Sequence, residues 1–230
     1  MSFIVNDINT KTYTFSNGFH YIHHTKTCTH ETVTFCLVCQ AGSSFETEET
    51  KGTAHLVEHL LLMNKNIKFD NYTLFELFDK YGIIFNAFTT KQYTFFTLQC
   101  FQEHQLLCID ILSKIIFNKQ LDTSITNKVA NVINIENMND DDDIHYVTYN
   151  SFTKNMFRGT AYMHSTDEIR KQSTKRFQVN DVEIRKFYNN NYVPSKMVLS
   201  IVSSKTTTNT LYDKINSSVF VKKKKKITQV

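Results

Sequence analysis

The chain reads as an α+β protein, an antiparallel or mixed β-sheet packed with helices, and three features of its 230 residues predict this. Short runs alternate apolar and polar residues with period two and are rich in Thr, Val, Ile and Phe, as half-buried strands are. Between them lie segments whose apolar residues recur at helical spacing. The two kinds follow one another without the regular alternation of a doubly wound parallel sheet, which leaves an α+β sandwich. With 41% apolar and 13% aromatic residues a substantial core can be buried. No internal repeat or Pro/Gly linker divides the chain, so one domain over 1–220 with a basic tail at 221–230 is expected.

Taken in order, Thr12 to Phe15 and Phe19 to His24 flank Ser16-Asn17-Gly18, a hairpin signal. A long strand follows at Thr32 to Gln40. Gly42 to Gly52 is a polar, glutamate-rich loop leading into a helix that runs to about Asn64. A second helix is expected from about Thr73 to Tyr81, with Leu74, Leu77 and Phe78 on one face and Gly82 as its stop. Ile83 to Thr89 and Tyr93 to Phe101 read as paired strands. Helices then follow at Glu103 to Phe117, Thr123 to Met138, His145 to Phe157, Thr166 to Gln172 and Asp181 to Asn190, the last capped by Asn180 or Asp181. Met197 to Val202 is a strand and Thr206 to Ile215 a last helix.

Charge and cysteine usage exclude some function classes. The formal net charge of +4 is largely carried by Lys222 to Lys226, so the body of the protein is close to neutral and no nucleic-acid partner is indicated. That lysine run reads as a solvated tail, and Asp140 to Asp143 as a solvated helix end or loop. Five cysteines, with no basic-then-apolar leader in Met1 to Thr10, point to a reducing, intracellular and cytoplasmic location. Cys36 and Cys39 form a C-x-x-C on a strand, where residues three apart face opposite sides, so they do not share a metal. The same alternation separates His23 from His20 and His24. No apolar run reaches the length of a membrane span.

The stretch that carries chemistry is Ala54-His55-Leu56-Val57-Glu58-His59-Leu60-Leu61-Leu62-Met63. Four residues apart on a helix, His55 and His59 stand on one face and can reach one metal ion. Glu58 flanks the same site, where a carboxylate can take a proton from a metal-activated water. Apolar residues surround the three, which makes the helix buried and its polar groups costly without a partner. Glu136 falls one turn after Val132 and two turns after Val129, the apolar stripe of its own helix. A carboxylate on that buried face snorkels out at the helix end, pairs with a lysine, or meets a metal.

These residues resemble the inverted-motif zinc metallopeptidases of pitrilysin, insulysin and the mitochondrial processing peptidase. The family pattern is a Gly-Ser turn, an acidic stretch, Gly-x-Ala-His-x-x-Glu-His and a distant glutamate. Here these are Ala41-Gly42-Ser43, Gly52-Thr53-Ala54-His55 through His59, and Glu136. Gly82 followed by Asn86-Ala87-Phe88-Thr89 and Thr94 is similar to the family's strand beside the peptide. Phe187-Tyr188, Asn191-Tyr192-Val193-Pro194 and Met197 are similar to its helix-to-strand return.

By this resemblance His55, His59 and Glu136 would hold one Zn²⁺, Glu58 would be the general base, and Asn86 and Ala87 would bind a peptide or small-protein substrate as an added strand. A homo-oligomer or a second peptidase-like domain in trans is the implied partner, with neither nucleic acid nor membrane. Two departures stand against the pattern. Active members carry a second glutamate where this chain has Val129, and they use at least two such domains. A non-catalytic binding subunit that needs a partner domain is therefore the alternative. The S-ribosylhomocysteine lyases share the motif but take a cysteine as third ligand, where this chain has Asn127.

Overall fold

The computed structural model describes residues 9–26, 31–47, 49–64, 67–69, 71–117, 121, 123–140, 142–163, 165–166, 180–204 and 208–223. Thr10–Thr14 (β1) and His20–Thr25 (β2) form the expected hairpin, followed by Thr32–Cys39 (β3) and the helix Thr53–Leu62 (α1). A two-residue pair, Lys68–Phe69 (β4) and Tyr72–Thr73 (β5), precedes Leu74–Tyr81 (α2). Ile84–Thr89 (β6), Thr94–Phe101 (β7), Gln105–Phe117 (α3), Thr126–Asp140 (α4) and Ile144–Met156 (α5) come next. Asp181–Asn191 (α6), Met197–Ser203 (β8), Thr208–Asn216 (α7) and Val219–Lys222 (α8) complete the described chain. No helix among the described residues is long and apolar enough to cross a membrane.

Six strands form one mixed sheet in the order β1-β2-β8-β3-β7-β6. Only β2 and β8 pair in parallel, which the length of chain between them permits, and the rest are antiparallel. Side chains alternate across the strands, and one face is dry. Phe35, Leu37 and Cys39 of β3, Phe96 and Leu98 of β7, and Leu199 and Ile201 of β8 are at most 1% exposed and join the core contributed by the helices. The opposite face carries half-buried or exposed residues such as Thr34, Cys36, Thr97 and Ser200. Cys36 and Cys39 thus lie on opposite faces, and so does His23 from His20 and His24.

Local signals explain most boundaries. Thr73 and Glu76 make a capping box at the start of α2, and Gly82 ends the helix in the left-handed conformation at φ 59°. Asn180 caps α6 by accepting from the Val182 amide at 2.9 Å. Asp143, from the acidic run, caps α5 through His145 N at 2.8 Å. The turn residue Asn17 is buried because it does long-range work: Nδ2 donates to the carbonyls of Phe220 at 2.7 Å and Lys223 at 2.9 Å. That clamp explains α8, which the sequence reading missed: its Phe220 is fully buried under Phe19 and Phe117. The expected helix over Thr166 to Gln172 lies outside the described residues apart from Thr166, and so do the start of the last helix at Thr206 and most of the lysine run.

The fully buried His23 accepts or donates one hydrogen bond, to Ser203 Oγ at 2.7 Å. Burial, with Lys11 and His24 adding, lowers its pKa from 6.5 to about 4. The folded chain therefore binds fewer protons than the unfolded one, so His23's contribution to stability is complete above pH 6.5 and is lost as pH falls towards 4. The urea midpoint should drop between pH 7 and pH 4.5, and His23→Gln should drop less over that window. Equal drops in the two proteins would remove His23 from the acid sensitivity.

Candidate metal centre

The centre is built on α1, which packs against β6, α4 and α6. Its apolar residues Ala54, Leu56, Val57, Leu60 and Leu61 are at most 1% exposed, so the helix is enclosed as its composition predicts. A buried helix start leaves amide donors in need of partners. Here the glutamate-rich loop supplies them: Glu46, 7% exposed, accepts from the amides of Gly52 at 2.9 Å and Ala54 at 2.7 Å. Gly52 sits at φ 81°, the left-handed backbone that lets the loop turn into the helix.

The preceding Gly-Ser turn is fixed to the β6–β7 connection. Amides of Gly42, Ser43 and Ser44 donate to the carbonyls of Gln92, Thr90 and Lys91. A side chain at Gly42 would meet Thr90 O at 2.4 Å, so only glycine allows this approach. Gln92 also touches Tyr162.

On this support His55 and His59 turn their Nε2 atoms to within 3.1 Å of each other, with rings 4.8 Å apart at 65°. Glu136 comes in from α4, its Oε2 lying 3.3 Å from His59 Nε2 and 3.8 Å from His55 Nε2. Ligand atoms about 2.0–2.1 Å from a tetrahedral zinc are about 3.3 Å apart, which two of the three separations match and the third exceeds by about half an ångström. A carboxylate oxygen of Glu58 lies within 4.8 Å of the ring nitrogens of both histidines. Burial, and His55 beside it, lower the His59 pKa to about 4, which keeps the ring neutral and able to ligate at neutral pH.

The sequence reading placed Glu136 on a buried face. Its side chain is instead 45% exposed, against 15% for either histidine. Val129 is fully buried. Asn86 and Ala87 lie on β6, the edge strand, with Asn86 on the exposed side and Ala87 turned with Phe85 and Thr89 towards the helices. The residue that sequence reasoning left without a role is Thr89, whose Oγ1 donates to Glu58 Oε2 at 2.6 Å. Its parity with Ala87 on β6 was the available signal. Glu46 was likewise visible only as part of an acidic loop.

A family model described as Insulinase (Peptidase family M16) matches residues 21–168, which include both histidines, Glu58 and Glu136. The chain belongs to peptidase family M16. It is 28% identical over 172 residues to the mitochondrial-processing peptidase subunit beta of Neurospora crassa, covering 74% of this chain and 35% of that protein. It is 26% identical over 167 residues to the uncharacterized zinc protease YmxG of Bacillus subtilis, covering 71% and 39%. A protease from Helicobacter pylori shares the fold with a TM-score of 0.81 at 14% identity, over 96% of this chain and 52% of that one. An M16 inactive domain from Pseudomonas fluorescens does so at 0.76 and 13%, over 97% and 53%. The chain thus spans little more than a third of those curated relatives and about half of those solved chains. The α+β fold is the M16 domain fold, as the sequence reading expected.

Glu46 offers two amides at a helix start both hydrogen bonds and negative charge. Glu46→Gln leaves one oxygen to serve them and removes the charge, and should lower the unfolding free energy by about 1–2 kcal/mol. Urea denaturation at pH 7 reads this directly. An unchanged midpoint would show that α1 needs no such anchor.

Proposed function

We propose that the chain is a zinc-dependent metallopeptidase domain that hydrolyses peptide bonds. The observation carrying this reading is the convergence of His55 Nε2, His59 Nε2 and Glu136 Oε2 within 3.1–3.8 Å, with Glu58 beside them. Two neutral imidazoles and one carboxylate suit a catalytic zinc, since they leave a coordination position open. Zinc, when bound, supplies a Lewis acid that lowers the pKa of water and polarises the scissile carbonyl. Glu58 is the general base, taking the proton of the attacking water and delivering it to the departing amine.

The peptide adds to the edge of β6 at Asn86 and Ala87. Main-chain hydrogen bonds give affinity there with little demand on sequence. β6 runs beside α1, so a strand added to it passes the metal ligands. The partial exposure of Glu136 is in keeping with a site open to a chain-like substrate. We further propose a partner in trans, a second peptidase-like domain or a second copy, since chains of the same fold are about twice as long.

A second reading, a non-catalytic peptide-binding subunit, is favoured by Val129 at the place of the second glutamate. Two variants separate the readings. His59→Ala should abolish stoichiometric zinc, measured by metal analysis, and undiminished zinc would dismiss the ligand set. Glu58→Gln should keep its zinc while peptide hydrolysis falls by about 10²–10⁴-fold. Turnover unchanged from the wild type would remove Glu58 from the mechanism, and no turnover by the zinc-loaded wild type would favour the binding subunit.

A further inference from the structure

We infer that Thr89 is the positioning residue for the general base, so that the strand receiving the peptide also sets the orientation of Glu58. The inference rests on the reading of Glu58 as that base. Thr89 closes β6, and its Oγ1 donates to Glu58 Oε2 at 2.6 Å, across from one element to the next. Glu58 is 3% exposed, so water cannot readily replace that donor. A hydrogen bond to one oxygen restrains rotation of the carboxylate, and with it the direction of the other oxygen.

Thr89 is itself held in place. It is the partner of Thr94 in the β6–β7 ladder, and the two hydroxyl oxygens are 3.4 Å apart. The fully buried Thr94 donates to Ala41 O at 3.0 Å, which links the pair to the Gly-Ser turn before α1. On the same face of β6, Phe85 stacks on Phe78 of α2 with centroids 5.1 Å apart, so the strand does not turn about its axis. Ala87, two residues before Thr89, belongs to the proposed peptide edge. One short strand therefore aligns both the peptide and the carboxylate that serves it. Catalytic groups need such support to within about half an ångström.

The obvious alternative is that Thr89 merely satisfies a buried carboxylate and that Glu58 keeps its direction from the packing of α1. The two differ in what is lost. Without the Thr89 hydroxyl the peptide and the zinc still bind, and only the proton transfer suffers. Thr89→Val should thus retain one equivalent of zinc and a KM within about twofold of wild type while kcat falls about 10–100-fold. Thr89→Ser, which restores the hydroxyl, should recover most of the lost kcat. A Val variant with unaltered kcat, a loss confined to KM, or a Ser variant as poor as Val would overturn the inference.

A double-mutant cycle in thermal stability, combining Thr89→Val with Glu58→Gln, reads the contact without turnover. The two shifts in Tm should be clearly non-additive. Additive shifts overturn the role of Thr89 alone. A zinc-loaded wild type that cleaves no peptide overturns the base reading of Glu58 first, and this inference with it.

Discussion

Everything at the metal centre depends on holding α1 in one place against the edge of the sheet. Two histidines one helical turn apart can share an ion only if the helix does not unwind, and Glu136, the third candidate donor, comes from another element altogether. The chain solves this at both ends of the problem. Glu46 accepts from two of the amides at the start of α1, those of Gly52 and Ala54, and the loop that carries it is nailed to the β6–β7 connection by three backbone hydrogen bonds from Gly42, Ser43 and Ser44. Around the helix, Leu56, Val57, Leu60 and Leu61 are buried without remainder in the common core. Polar and apolar constraints thus act on the same ten residues.

That arrangement also accounts for the buried glutamates. Glu46 and Glu58 are 7% and 3% exposed, and a carboxylate so enclosed is costly unless hydrogen-bonded. Each receives donors that also serve positioning: backbone amides for Glu46, and the Thr89 hydroxyl for Glu58. Nearby Tyr192 stays protonated, since burial first, then Cys39 and Glu58, hold its pKa well above the ordinary range.

What was legible in the sequence follows from what local pattern can encode. Period and caps are local, so Thr73 with Glu76, Gly82 and Asn180 marked helix ends to within a residue or two. The alternation in β2 and β3 correctly separated His23 from its neighbours and Cys36 from Cys39. The His-x-x-Glu-His spacing is local too, and both imidazoles meet as the helix predicts. Contacts between distant segments were not legible. Asn17 clamping the Phe220 and Lys223 carbonyls, Gly42 against Thr90, and Thr89 on Glu58 all join stretches that no spacing rule connects. Glu136 shows the boundary between the two. Its helical stripe was read correctly at the fully buried Val129 and Ile133, but local pattern could not show that the side chain of Glu136, one turn further, reaches a partly exposed position.

Position at the rim has a chemical consequence. His55 and His59 sit 15% exposed on a helix enclosed by the core, while Glu136 stands 45% exposed near the end of α4, four residues before its last described turn closes. Support for the three candidate donors is therefore unequal, two standing on an enclosed helix and one near a helix end. A carboxylate ligand is ordinarily steadied by polar neighbours that donate hydrogen bonds to it. One turn and two turns before Glu136, α4 offers Val132 and the fully buried Val129, side chains that pack well and donate nothing. Packing holds this stretch of α4 in place, and the Glu136 carboxylate reaches from it to within 3.3 Å of His59 Nε2 and 3.8 Å of His55 Nε2.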